Sequence, residues 1–209
     1  MNLSNYIHQL FSKVIFETKL NFSKKELNTF ISDFEKFSLK NIRENSNITK
    51  ATNNKHLLKD KKFKLLKNKI LKEFNSFKNS ILKYEKCNFE ITTSWLAVSN
   101  SGNEGIFHNH QNSFFSGVYY LKTPENCGKI KFRDYSNKNF YIPPSIQNCY
   151  NSREWGFEVK ENLLLFFPSE AYHVISKNNS KKDRVSLAFN IMPTGKFGCN
   201  DSEVTLKVL

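Results

Sequence analysis

Long apolar runs are missing from this 209-residue chain. None approaches the ~20 residues that a bilayer-spanning helix needs. The amino terminus, MNLSNYIHQLFSKVIF, lacks a basic start followed by an apolar stretch and a small-residue cleavage site, so no signal peptide is expected. Cysteine is sparse: Cys87, Cys127, Cys149 and Cys199 lie far apart and form no CxxC pair. That argues against a zinc knuckle and points to reduced thiols in a cytoplasmic protein. Acidic residues are few, 19 against 32 lysines and arginines, which leaves a net charge of +13. Such an excess fits a nucleic acid or another anionic partner. Nearly all of it is lysine, however, dispersed through the chain alongside abundant Asn, Ile and Phe, the bias of an A+T-rich genome. Nucleic acid is therefore not the favoured partner. Arginine is scarce too, at Arg43, Arg133, Arg153 and Arg184. In a chain that defaults to Lys, an Arg marks a place where a planar, bidentate fork is wanted.

What is present suits one globular domain. Hydrophobic residues make up 39%, with 20 Phe and 8 Tyr, and the length is sufficient for a real core. Residues 9 to 20, QLFSKVIFETKL, read as a strand. In the following NFSKKELNTFISDFEKFSLKNI, Ser23 and Glu26 have capping-box spacing, and Leu27, Phe30, Ile31, Phe34 and Phe37 share a helical face. Residues 41 to 60 read as a long polar loop. A second helix is expected from Asp60 to Tyr84, with Phe63, Leu66, Ile70, Phe74, Phe77, Ile81 and Tyr84 on its buried side. From Asn88 the texture changes to FEITTSWLAVS, FFSGVYYLK, GKIKFRD, WGFEVK, NLLLFFP, AYHVIS and RVSLAFNIM, seven short strand-like segments separated by turn residues. The expected class is α+β: a single domain over 1–209, in which residues 88–209 form an antiparallel sandwich or barrel and residues 1–87 supply a strand and helices packed on its outside.

The segment IFHNHQNSFFSGVYYL, residues 106–121, carries His108 and His110, which share one side of an extended chain. His173 follows 63 positions after His110, just after LLLFFPSEAY. If the two carrying segments are neighbours, three imidazoles can occupy one face of a metal ion and leave positions open. Taken alone, an HxH at a strand end is more often solvated than ligated. RVSLAFNIM adds weight: Val185, Leu187, Phe189 and Ile191 form an apolar face, and Arg184, Ser186, Ala188 and Asn190 the other. With the apolar face under the helices, Arg184 points into the barrel, where a guanidinium is costly without an anion. An organic carboxylate fits it, with the hydroxyls of Ser186 and Tyr120 donating to the same group. The competing reading is a surface salt bridge from Arg184 to Asp183 or Glu158.

Here the sequence resembles a family. HNHQNSFFSGVYYL, CGKIKF and LLLFFPSEAYHVISKNNSKKDRVSLAFN are similar to the 2-oxoglutarate/Fe(II) oxygenases related to prolyl hydroxylases, whose core is a double-stranded β-helix, a cupin-like jelly roll. The resemblance extends over nearly the whole chain. It implies Fe(II) on His108, His110 and His173, and 2-oxoglutarate anchored by Arg184 and Ser186 with help from Tyr120. One departure matters: most of the superfamily has a carboxylate where this chain has His110. Glu104 and Asp134 are nearby acids that could ligate instead. A further departure, KEN before LLLFFP where relatives often have Gly, touches loop geometry.

The implied activity is hydroxylation of an unactivated C–H, using O2 and releasing succinate and CO2, with ascorbate as an auxiliary reductant. Halogenation fits less well, because His110 fills the ligand position it requires. Two rivals stand beside this: a non-catalytic jelly-roll binding module, and a three-histidine oxygenase that does not use 2-oxoglutarate. The substrate could be a small molecule, an amino acid or a peptide. Trp95, Asn190 and Arg153 are candidate contacts, the last on a loop from Asp134 to Glu154 expected by the pocket mouth. The oligomeric state is open, a homodimer included.

Overall fold

The computed structural model describes residues 11–37, 39–41, 50–135 and 142–207. Within them the chain runs β1 (Phe16–Lys19), α1 (Lys24–Glu35), β2 (Leu39–Asn41), β3 (Lys50–Thr52), α2 (Lys64–Ser80), β4 (Asn88–Ser99), β5 (Phe115–Lys122), β6 (Lys129–Arg133), β7 (Glu154–Glu158), β8 (Leu163–Pro168), β9 (Tyr172–Ile175), β10 (Arg184–Phe197) and β11 (Val204–Leu206). All seven strands expected after Asn88 form. The first strand is shorter than expected, and residues 9 and 10 of that expectation, like Arg43, lie outside the described residues. The segment expected to be one long loop contains β3 and a 3-10 turn, Leu57–Lys59.

Helix α1 begins as its capping box dictates: the Glu26 N–H donates to Ser23 Oγ at 3.3 Å, and the Ser23 N–H to Glu26 Oε2 at 2.8 Å. Its buried side is Leu27, Phe30 and Phe34, while α2 buries Leu66, Ile70, Phe74 and Phe77. The second helix is shorter than expected. Residues 61–63 form a 3-10 turn, and beyond Ser80 the chain turns away, with Lys83 in the left-handed region at φ 59°. Ile81 and Tyr84 consequently are 57% and 40% exposed instead of joining the core.

The strands form two sheets, the larger in the order β1-β8-β5-β10-β4-β3-β2 and the smaller β7-β6-β9, with β11 beside the end of β10. Every named pairing is antiparallel. The large sheet is buried on both faces, and its period of two sorts the side chains. One face gives Phe115, Tyr119, Leu164, Phe166, Val185, Leu187, Phe189 and Ile191 to a core shared with α1 and α2. Phe74 of α2, for example, meets Phe115 and Phe166 edge-on at 5.4 and 5.3 Å between ring centroids. The other face turns Val118, Tyr120, Leu165 and Phe167 toward Ile130 and Phe132 of the small sheet. Burial on both faces explains why β8 reads as an unbroken LLLFF.

Candidate metal and cosubstrate site

Between the sheets lies a cavity of about 550 Å3 whose wall includes His108, His110, His173, Trp95, Ser186 and Asn190. Backbone pairing places the first three. The segment before His110 lies along β9: His108 and His173 exchange N–H···O bonds of 3.0 and 2.8 Å, and the Gly105 N–H donates to the Ile175 carbonyl at 2.8 Å. A Cβ at Gly105 would sit 3.1 Å from that carbonyl oxygen, tighter than ordinary contact. The His110 N–H then reaches the Ser169 carbonyl at 2.9 Å. Two segments far apart in sequence thus deliver three imidazoles whose potential ligand atoms all lie within 4.8 Å of one another.

The hydrogen bonds select which nitrogen faces inward. Nδ1 of His108 lies 2.8 Å from the Ile106 carbonyl oxygen, and Nδ1 of His173 lies 2.9 Å from that of Ala171. Nδ1 of His110 is 2.6 Å from Asn190 Oδ1, whose amide nitrogen donates to Thr93 Oγ1. These oxygens only accept, so each ring carries its proton on Nδ1 and keeps the Nε2 lone pair free, the form that ligates a metal. Burial, reinforced by the neighbouring His108, lowers the His173 pKa to about 3, and burial lowers that of His110 against the opposing Asn190 bond. Both rings are neutral at neutral pH, as coordination requires. Glu104 and Asp134 do not belong to this group of potential ligands; Glu104 lines a different surface depression.

Arg184 is 1% exposed. Its Nη1 donates to the Cys127 carbonyl at 2.5 Å, while Nη2 is buried with no partner. The salt-bridge alternatives are not realised: Asp183 accepts from Asn100, and Glu158 pairs with Lys129. No carboxylate pairs with Arg184 among the described residues, although burial lowers its pKa. The Tyr120 hydroxyl is a second buried polar atom without a partner; burial raises its pKa, so it remains a protonated donor. Tyr120 and Ser186 are partners across the β5–β10 ladder, next to a bulge where β5 has one extra residue. An orphaned guanidinium N–H and an orphaned phenol are costly unless something anionic fills the space between them. Ser186 lines the cavity, whereas Arg184 and Tyr120 are not among its lining residues. This donor set fits the far carboxylate of an oxo-diacid, and the three imidazoles fit a divalent iron.

Of the candidate substrate contacts, Trp95 and Asn190 line the cavity, and Arg153 does not. The mouth loop is described only in part, residues 136–141 lying outside. Sequence reasoning overlooked Ser116, which is fully buried within hydrogen-bond distance of His110 Nδ1, Asn190 Oδ1 and Ser169 Oγ. Its only signal was its place on the inward face of SFFSGVYYL. Lys55, in the segment read as loop, also lines the cavity.

The fold is consistent with a jelly roll whose interior cavity is lined by three clustered imidazoles. Residues 93–190, from β4 to β10, match the model of the family described as "Putative 2OG-Fe(II) oxygenase". This core segment is thus similar to a family of 2-oxoglutarate/Fe(II) oxygenases, enzymes that work with iron, 2-oxoglutarate and O2. None of the curated proteins compared matches the sequence. Among solved structures, HygX from Streptomyces hygroscopicus, with nickel, 2-oxoglutarate and hygromycin B bound, is 12% identical at a TM-score of 0.61, covering 86% of this chain and 83% of that one. A prolyl-4-hydroxylase from Pseudomonas putida is 14% identical at 0.57, covering 87% and 94%. A viral collagen prolyl hydroxylase from Paramecium bursaria Chlorella virus-1, in complex with 2-oxoglutarate, is 16% identical at 0.51, covering 85% and 94%. At these identities the likeness establishes the fold. No helix among the described residues is long and apolar enough to cross a membrane.

Proposed function

We propose that this protein is a 2-oxoglutarate- and Fe(II)-dependent dioxygenase that hydroxylates an unactivated C–H of a small-molecule, amino-acid or peptide substrate. His108, His110 and His173 would hold the iron through Nε2. Arg184, Ser186 and Tyr120 would receive the far carboxylate of 2-oxoglutarate. The bound iron and cosubstrate supply the oxidising power, with O2 consumed and succinate and CO2 released. The chain's own part is to orient the imidazoles through Ile106, Ala171 and Asn190, and to keep the carboxylate end dry behind Phe167 and Ile130.

The observation that carries this reading is the pair of partnerless buried donors, Arg184 Nη2 and Tyr120 Oη, at a site that also offers three free imidazole lone pairs. A three-histidine oxygenase with no oxo-acid leaves both donors without a purpose. With no carboxylate among the ligands the iron complex is more positive than in most of the superfamily, which favours binding of an anionic cosubstrate.

Arg184→Leu is the test. It should abolish succinate formation from 2-oxoglutarate while Mn(II) still binds, as judged by electron paramagnetic resonance. Unchanged succinate formation would sink the assignment of Arg184. A wild-type protein that binds metal and 2-oxoglutarate yet forms no succinate, with Fe(II) and ascorbate supplied, would favour the non-catalytic binding module.

A further inference from the structure

Apart from the imidazoles, the described residues lining the cavity include one ionisable side chain, the ammonium of Lys55, and no carboxylate. Lys55 precedes β4 by more than thirty positions and lies outside the segment matched by the family model. A closed set of hydrogen bonds fixes the turn that carries it. Thr52 Oγ1 accepts from the Leu96 N–H at 3.1 Å and donates to the Asn54 carbonyl at 3.0 Å. Asn54 Oδ1 accepts from the His56 N–H at 2.7 Å, and the Ser94 N–H donates to the Lys55 carbonyl at 2.6 Å. His56 Nδ1 pairs with the Thr92 carbonyl at 3.0 Å, at the bulge where β4 has one residue more than β10.

This turn sets Lys55 Nζ over the Trp95 ring, 5.8 Å from its centroid, and the Trp95 ring stands 5.6 Å from that of His110. Ammonium, indole and metal-side imidazole thus follow one another along the wall. Nζ spends one N–H on the Thr52 carbonyl at 2.9 Å, which leaves two for a ligand. Partial burial lowers its pKa, a penalty that an anionic partner relieves. Arg184 is a second cation at a different depth, almost wholly buried, whereas Lys55 is an exposed residue. The two cations therefore suit two different anions.

We propose that Lys55 is a specificity residue that receives an anionic oxygen group, carboxylate or phosphate, carried by the substrate to be oxidised, with Trp95 packing the adjoining apolar part. The proposal rests on the oxygenase reading of the same cavity and names the substrate class. A charge-assisted bond to such a group, flanked by an aromatic face, gives affinity and orients the substrate toward the imidazoles.

The test is titration of the full chain, loaded with Mn(II) and saturating 2-oxoglutarate, with benzoate, phenyl phosphate, neutral benzamide and cationic benzylamine. Binding is read by calorimetry and by tryptophan fluorescence. At least one anion should bind about tenfold more tightly than benzamide, and the tighter of the two names the group. That preference should vanish in Lys55→Met, which keeps the apolar stem, and turn toward benzylamine in Lys55→Glu. Equal affinity for anions and benzamide, no binding of either, or an anion preference that survives Lys55→Glu overturns the proposal. If Mn(II) and 2-oxoglutarate do not themselves bind, it is the oxygenase reading that fails, and the same titration of the protein alone still decides the role of Lys55.

Discussion

At the scale of single residues, the site depends on oxygens that fix ring orientation as much as on the rings. Asn190 Oδ1 accepts from His110 while its amide is held by Thr93, so the carboxamide cannot turn and offer an N–H to the imidazole. Asn190→Ala should leave the fold intact and weaken Mn(II) binding by about 10- to 100-fold, the usual cost of losing such a support; calorimetry checks this, and unchanged affinity would argue against it. The ligand candidates and Arg184 were legible in the sequence because imidazoles two apart and a lone inward arginine are unusual in strands of this composition. Asn190 was read there only as a substrate contact. Its hold on His110 depends on β10 lying beside β5, which local pattern does not express. Arg153 does not line the cavity, and a position on a loop does not say which way the loop folds.

At the scale of elements, close approach between strand and side chain governs the large sheet. Gly117 of β5 is overlain by Phe189 of β10, and a Cβ there would lie 2.4 Å from two atoms of that ring. The ring belongs to the core beneath α2 and is fully buried, so it has no free direction in which to yield. Gly117→Ala should therefore destabilise the protein by about 1–3 kcal/mol, measured by denaturant unfolding. Adding Phe189→Leu should recover part of the loss; full stability in the single variant would show that the core yields. The alternation in RVSLAFNIM and the capping box of α1 announced their elements directly. The end of α2, the short strands β2, β3 and β11, and the turn holding Lys55 did not announce themselves. The turn holding Lys55 is fixed by bonds to Thr92, Ser94 and Leu96 of β4, far along the chain, and strands of three residues are too short for a period of two to emerge.

At the scale of the whole molecule, the cavity ties function to stability. The site joins two sheets, one bearing Arg184, Ser186 and Asn190 and the other bearing His173, and ligands that bind only the folded form must hold both together. Mn(II) and 2-oxoglutarate should raise unfolding stability by about 2.7 kcal/mol for each ligand present at a hundred times its Kd, read as a thermal shift. A chelator should remove the effect, and Arg184→Leu should retain the metal's share while losing that of the acid. An unchanged melting temperature with both ligands present would contradict the binding of either.

The sequence by itself determined a mostly strand-built chain with few helices, its strand-rich carboxyl-terminal core, which face of β10 is polar, and the residue types able to hold a metal and an acid. Those features are local, set by alternation, capping and side-chain chemistry. Only the tertiary structure decided that three imidazoles converge with Nε2 inward, that neither Glu104 nor Asp134 joins them, and that Arg184 has no carboxylate counter-ion among the described residues. It alone brought Lys55 over Trp95. Each of these depends on strand register and on pairing between residues tens of positions apart, and a single chain's pattern encodes which face a side chain takes but not which neighbour it meets.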